Sequence, residues 1–461
     1  MRKARGRLKN VNGISTMEDM FEDHFLAQFP QDARKEEITA IISAIHNGNS
    51  CQLMGLPGGN RSTVLGLLVY NKKIRQKYLG AQQDNSHFVL VDFSEIRKRP
   101  LLDVMKYLFL NLTESLRERG MKEENKAVGD IFREHLKFHD EFLLFQGFNE
   151  AVDYLALEKK ISIVFLFDRF EEYVPTVTAE FFTNLRTLRN RGKYRFSVVL
   201  STNRPLEELL DPEVLADYFE YIVQRIVVMH LYDKPSSDFW IAHTEKLTNK
   251  KIDDGTVKKI LTLTGGHGNL TKLAVESVFV AQEEIKEMQQ FLLEQKTIQR
   301  ALIDIWQSFS PAEQAGLLEE KFEDSTVTAY LEQVGLVKDA TIQIPLFAAF
   351  IVSEYRDVAS RLQKITYDDQ TGSIRKGTTI LSDQLTSSEF RLLKYLLLNA
   401  DRVVDREELI IVVWGDNKST AGITDQAVDQ LIFRLRRKIE EDANHPVHLQ
   451  TVKGRGFMFT S

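Results

Sequence analysis

The sequence predicts a multidomain chain, α/β in its N-terminal part and α+β beyond it. Three observations carry that expectation. Two apolar runs, Ile161–Phe167 and Phe196–Leu200, end in polar residues, as strands buried on both faces of a parallel sheet do. A glycine-rich segment, Gly55–Arg61, lies between a short apolar run and a helix start. Leu385–Phe459 reads as three short helices followed by a basic β-hairpin.

Composition sets the bounds. A chain of 461 residues has room for two to four domains, and 43% hydrophobic residues suffice for ordinary cores. The longest apolar runs fall far short of the ~20 residues a membrane-crossing helix needs. A basic N-terminus, Met1–Lys9, leads into no apolar signal region, so secretion is not expected. The single cysteine, Cys51, excludes an internal disulfide and suits a reducing cytoplasm. The net charge is −6, and even Arg375–Ser461 holds 13 Lys and Arg against 12 Asp and Glu. Attraction to nucleic acid must therefore come from how charge is arranged.

Residues 51–54 form the first expected strand, and a helix begins near Ser62. Between them, Gly55, Gly58, Gly59 and Asn60 offer bare backbone N–H groups at a helix N-terminus, the arrangement that cradles phosphate. Against the phosphate-loop pattern G-x-x-x-x-G-K-[ST], Gly55 and Ser62 match, with Thr63 following. Asn60 replaces the second glycine and Arg61 the lysine. Arginine keeps the charge but is a planar fork, and asparagine tolerates a left-handed backbone less well than glycine. Asp168 ends the run Ile161–Asp168, where a carboxylate can hold Mg²⁺ opposite the Ser62 hydroxyl. Phe196–Pro205 is a second buried strand whose polar end places Asn203 as a γ-phosphate sensor. Thr264-Gly-Gly-His267 opens a further helix, with His267 as a cap or hinge, or reaching a phosphate. Arg186, Arg189, Arg191 and Arg204 are either an arginine finger or a solvated face. His135 and His139 share a helix face but lack a third metal ligand.

Taken in order, the Gly55–Thr63 loop, Phe167–Glu172, Ser201–Asn203 and Thr264–His267 resemble the P-loop NTPase module of the STAND group, relatives of the AAA+ ATPases, over about residues 29–285. The resemblance implies binding of ATP or ADP with Mg²⁺. Nucleotide contact then falls on Gly55, Gly58, Gly59, Asn60, Arg61, Ser62, Thr63, Asp168 and Asn203, and metal contact on Ser62 and Asp168. Ordinary AAA+ members follow the strand-end Asp with a water-polarising Glu. Arg169 stands there instead, so Glu171 or Glu172 would have to substitute. These departures argue against fast turnover and leave hydrolysis open, with a weak ATPase as one outcome. Residues 298–355, with a capped start at Ser310-Pro-Ala-Glu313 and two short strands, resemble the winged helix that follows this core in STAND proteins. It is expected to pack against the nucleotide site.

Residues 364–384 alternate like strands with turns at Gly372 and Gly377. Thr386-Ser-Ser-Glu389 and Asp405-Arg-Glu-Glu408 both have capping-box form, the first side chain accepting from the helix start and the Glu reaching back. The third helix, about 425–441 with Thr424 as its cap, is two-faced at 3.6 residues per turn. Val428, Leu431, Ile432, Leu435 and Ile439 make a core stripe. Gln426, Gln430, Phe433, Arg434 and Arg437 project the other way, with Arg436 and Lys438 on the flanks. Gln and Arg suit bidentate contact with adenine and guanine, and Phe433 either touches a thymine methyl or a second subunit. The Lys453-Gly454-Arg455-Gly456 turn is a cationic hairpin tip.

This segment resembles the DNA-binding domain of OmpR/PhoB-type response regulators, a winged helix-turn-helix. The resemblance implies base or phosphate contact by Gln426, Gln430, Phe433, Arg434, Arg436 and Arg437, and wing contact by Thr451, Lys453 and Arg455. Gln426 and Phe433 stand where many members carry Arg, and Leu431 where some carry His. The expected organisation is thus an NTPase-like domain over 1–290 with a helical lid at 235–290, a connecting winged-helix-like domain over 291–360, and the DNA-binding domain over 361–461. Such a chain is expected to be a cytoplasmic transcription regulator that binds double-stranded DNA and nucleotide as a homo-oligomer or dimer, with no membrane partner. A DNA-stimulated ATPase and a pseudo-ATPase scaffold are the alternatives.

Overall fold

The computed structural model describes residues 24–215, 225–281, 285–320, 322, 325–356, 365–369, 371–376, 379–400, 402–415, 425–440, 443, 446, 448–452 and 454–460. The expected Thr424 cap, the Gly377 turn and Lys453 lie outside them, as does the basic N-terminus. The chain divides into two compact units, Met1–Phe350 and Ile351–Ser461.

In the first unit, α1 (Lys35–His46) leads to β1 (Cys51–Met54), the glycine-rich loop, α2 (Arg61–Tyr70) and α3 (Lys72–Leu79). There follow β2 (Ser86–Asp92), α4 (Leu101–Glu118), α5 (Lys122–Leu136), α6 (Glu141–Asp153), β3 (Ser162–Asp168), α7 (Ala179–Arg191), β4 (Phe196–Thr202) and β5 (Ile226–Val228). All five strands pair in parallel, in the order β2-β3-β4-β1-β5. Every residue of β1 and β4 is buried, the physical reason those runs are continuous and not alternating. One face carries a phenylalanine-rich core against α4, α6 and α7, including Phe93, Phe167, Phe170 and Phe181. The opposite face packs Ile38, Ile41, Leu65 and Leu68 from α1 and α2. This is the P-loop NTPase type of fold.

The three helices of the expected lid are α8 (Lys234–Thr248), α9 (Asp254–Thr264) and α10 (Gly268–Val280). Beyond them come α11 (Lys296–Trp306), α12 (Pro311–Glu319), α13 (Ser325–Gln333) and a hairpin of β6 (Val337–Lys338) and β7 (Thr341–Ile342). Ser310 and Glu313 form the full capping box of α12.

The second unit opens with an antiparallel sheet of β8 (Ile365–Asp368), β9 (Ser373–Lys376) and β10 (Thr379–Ile380). It continues with α14 (Ser387–Leu398), β11 (Val403–Val404), α15 (Arg406–Trp414), α16 (Asp425–Ile439), β12 (Leu449–Val452) and β13 (Gly456–Phe459). β12 and β13 form the hairpin, and β11 pairs with β13. Gly456 has φ +134°, and a Cβ there would sit 2.0 Å from the Val404 carbonyl oxygen, so only glycine lets β11 come this close. The Thr386–Glu389 capping box is complete. The second is half made. Asp405 accepts from Glu408 N at 2.8 Å, but the Glu408 carboxylate turns to Tyr395 and Arg402 instead of the helix start. A charged guanidinium and a phenol outcompete one backbone N–H.

Candidate nucleotide and nucleic-acid sites

The glycine-rich loop is shaped at two left-handed positions, Gly58 (φ +75°) and Asn60 (φ +68°). Asn60 therefore takes the backbone that the pattern's second glycine would supply. Its amide lies over Gly268, where a Cβ would be 1.9 Å from Asn60 Nδ2. Two hydrogen bonds fasten the same loop to the start of α10. His267 Nε2 donates to the Pro57 carbonyl at 3.0 Å, and Asn269 N donates to the Gly58 carbonyl at 3.0 Å. His267 is fully buried and also caps α10, its Nδ1 accepting from Leu270 N at 3.4 Å. Burial, assisted by Arg34, lowers the His267 imidazole to about 4 against the Pro57 bond, so it is neutral at physiological pH.

Arg61 is 8% exposed, and its Nη2 lies 2.6 Å from Glu171 Oε1. Glu172 pairs with Arg97 at 3.0 Å on the surface. Asp168 ends β3 directly beside Asp92 at the end of β2. Arg169, held in a left-handed backbone (φ +53°), bonds Asp92 and sets its Nε 3.8 Å from Asp168 Oδ2. The cation thus partly neutralises two neighbouring strand-end carboxylates, which a glutamate in its place would not. Burial raises the Asp168 carboxyl, as Asp92 does, while the Ser62 hydroxyl, Arg169 and Arg61 pull it down.

Among the described residues, Arg61 Nη1, Asp168 Oδ1, Glu171 Oε2 and Asn203 Oδ1 are buried with no hydrogen-bond partner. Each such group costs roughly 1–3 kcal/mol, and a native chain carries few of them. Gathered at strand ends beside a left-handed glycine loop, a cation, a hydroxyl-bonded carboxylate and an amide fit a magnesium–phosphate group. Gly55, Gly59 and Thr63 lie on the same loop and helix start.

Next to Asn203, Arg204 grips Glu313 of the capping box with both nitrogens, at 2.9 and 3.0 Å. Its guanidinium lies 3.9 Å from the centre of the Tyr330 ring, and the Tyr330 hydroxyl donates to the Asn203 carbonyl. The segment after β4 is therefore bound to α12 and α13, a contact between residues 109 positions apart that no local pattern reveals. Arg189 is no solvated side chain. It is 8% exposed and donates to the Gly48 carbonyl at 3.2 Å, anchoring the turn before β1.

In the second unit, Val428, Leu431, Ile432, Leu435 and Ile439 of α16 are all buried. Gln426, Gln430, Arg434 and Arg437 are exposed along the opposite side, with Phe433 48% exposed among them. Arg436 differs from these four. It donates to the Leu449 carbonyl through Nε (2.9 Å) and Nη2 (2.7 Å), and to Thr451 Oγ1 at 2.8 Å. Lys438 reaches Glu389 at 2.6 Å. Arg455 lies at the hairpin turn, where its N donates to the Val452 carbonyl at 2.9 Å. Arg406 escaped the sequence reading. It pairs with Asp429 at 2.6 Å and lies over the Phe457 ring at 5.0 Å, joining α15, α16 and the hairpin. Its place in the first turn of α15 was the available signal.

Residues 382–459 match the family described as "Transcriptional regulatory protein, C terminal". The protein PetR of Rhodobacter capsulatus is 38% identical over 99 residues, 21% of this chain and 41% of that protein. The sensory transduction protein RegX3 of Mycolicibacterium smegmatis is 48% identical over 73 residues, 16% of this chain and 31% of that protein. The chain thus spans well under half of these curated relatives. A Walker-type ATPase of Pyrococcus abyssi superposes on 69% of this chain and 95% of its own, with 14% identity and a TM-score of 0.42. The C-terminal unit is a winged helix of the OmpR/PhoB type.

Proposed function

We propose that this chain is a cytoplasmic transcription regulator whose C-terminal winged helix binds duplex DNA and whose N-terminal unit binds ATP or ADP with Mg²⁺ as a switch. The observation that carries the reading is the exposed row of Gln426, Gln430, Arg434 and Arg437, backed by a wholly buried apolar stripe. Side chains in that row fit base edges and phosphates. Arg436 acts through position, holding Thr451 and the hairpin against α16, while Arg455 supplies a cation at the tip. Two copies on adjacent half-sites suit a fold of this kind.

The orphaned polar atoms support nucleotide binding. Arg61 would meet phosphate oxygens, Ser62 and Asp168 would hold Mg²⁺, and Asn203 would sense the terminal phosphate. A phosphate oxygen would give the orphaned Arg61 nitrogen its acceptor, and Mg²⁺ would give the Asp168 oxygen its cation. Asn203 and Arg204 then pass its presence to Tyr330 and Glu313. Binding without rapid turnover is the better reading than a DNA-stimulated ATPase, because Glu171 is engaged by Arg61 and Glu172 by Arg97. A pseudo-ATPase scaffold remains the competing class. Nucleotide content and phosphate release of the purified full chain separate the three. The proposal expects ADP–Mg or ATP–Mg to raise Tm in wild type but not in Arg61→Ala, with little phosphate released. No thermal shift with either nucleotide would refute the switch.

A further inference from the structure

The other end of the parallel sheet holds a cavity of about 920 Å³. It opens beside Ser86 and Ile161, where β2 and β3 begin, whereas Asp92 and Asp168 stand where those strands end. Seven residues of strand separate the two places by about 20 Å. It is therefore a site apart from the glycine-rich loop.

Its lining is cationic. Arg75 of α3 is 7% exposed, yet no carboxylate pairs with it among the described residues. Its Nη1 donates to the Leu68 and Val69 carbonyls at the end of α2, and its Nε is buried without a partner. Arg119, following α4, donates to the same Val69 carbonyl at 3.1 Å and lies close enough to repel Arg75. Burial and that repulsion pull the Arg75 guanidinium down to about 9. The same two causes press His87 to about 3, so it stays neutral, bonded to Ser115 at 2.8 Å. Lys72 and Lys73 are exposed at the rim. Asp84 and Glu118 also line the cavity, Glu118 and Tyr70 beside Arg119, and two carboxylates against four cations leave an excess positive charge of two, whose buried, uncompensated part is Arg75.

A buried charge such as that of Arg75 is costly unless an opposite charge compensates it. An arginine fork is the side chain best matched to phosphate, and a phosphate monoester carries −1.5 to −2 charges near neutral pH, about what this excess calls for. The volume exceeds that of phosphate alone and lies within the range of small-molecule sites, roughly 300–1,000 Å³. Gln28, Gln76 and Gln83 line the remainder with hydrogen-bonding groups. We propose that this cavity binds a small polar phosphate monoester, with Arg75 and Arg119 on the phosphate and Lys72 and Lys73 at the entrance. Such a site would give the regulator a small-molecule input independent of the nucleotide reading.

Calorimetric titration of the full chain with glucose 6-phosphate, inorganic phosphate and glucose tests this. The expected result is saturable binding of glucose 6-phosphate below 1 mM (on the order of other metabolite sites), weaker binding of inorganic phosphate and none of glucose. Arg119→Gln should weaken binding about tenfold or more. Because Arg119 also holds the end of α2, the exposed Lys72→Gln/Lys73→Gln double variant provides a second test, with weaker binding expected at unchanged Tm. Asp168→Asn should bind as wild type. The proposal is overturned if neither phosphate binds saturably, if both cavity variants bind as tightly as wild type, or if Asp168→Asn abolishes binding.

Discussion

Arg61 and Glu171 form an ion pair of 2.6 Å between the glycine-rich loop and the segment after β3, each leaving its second polar atom buried and unsatisfied. The loop's one cation is therefore held by a carboxylate at the place where phosphate would meet it. Glu171→Gln should free the guanidinium and tighten ADP binding about tenfold, roughly 1.4 kcal/mol. Were Glu171 instead a water-polarising base, the same variant would leave affinity unchanged and abolish phosphate release. Equilibrium titration with a fluorescent ADP analogue, beside a turnover assay, distinguishes the two.

Burial works against the charged form of Asp168. Its carboxyl is raised within the fold, so it favours the protonated form, and its contribution to stability is lost as pH rises through the folded value. Asp168→Asn should therefore raise Tm of the nucleotide-free protein at pH 7–8 while removing stabilisation by ADP–Mg. A lower Tm in the variant without nucleotide would contradict this account of the site.

His267 works in the opposite direction. Its folded value of about 4 lies below the ordinary 6.5, so its neutral form stabilises the fold above pH 6.5, and that stability is lost as pH falls toward 4. Comparing Tm of wild type and His267→Gln between pH 7 and 4.5 should show the gap narrowing toward acid. A constant gap would mean that the bond to Pro57 is not what His267 contributes.

Arg434 and Arg436, two positions apart on α16, should fail differently. Arg434→Ala should weaken binding to a selected duplex by about 1–3 kcal/mol with Tm unchanged. Arg436→Ala should lower Tm, since it leaves the Leu449 carbonyl and Thr451 without their donor. Thermal melts beside fluorescence anisotropy resolve the pair.

Glu389 and Lys438 give the winged helix an acid limit. Burial raises the Glu389 carboxyl, but bonds from Lys438 and Thr386 outweigh it and hold it below the ordinary value. Its stabilisation is present above pH 4.5 and lost as pH falls through the depressed folded value. Lys438→Met should flatten the acid side of the unfolding profile, and an unchanged profile would show that the pair contributes nothing.

What the sequence revealed follows from locality. The strands 51–54 and 161–168, the Thr386–Glu389 box and the five-residue stripe of α16 are short-range patterns, and the structure contains them. Asn60 was readable too, because few residues accept φ +68°. Glu408 misled because its stronger partners, Arg402 and Tyr395, depend on how α14 and α15 pack. Arg204–Glu313, Asn60 over Gly268 and Arg406–Asp429 join distant segments, and one sequence carries no trace of such pairing. Arg436 on a helix flank could face DNA or the hairpin, and only the fold of β12 decides.

Selection of duplexes from a random library by the full chain tests the central claim most directly, run with wild type beside a Gln430→Ala/Arg434→Ala variant. The account predicts that wild type enriches a common motif and that the variant, equally stable, loses or alters it. Enrichment of no motif, or of the same motif by both proteins, would contradict a reading surface on α16.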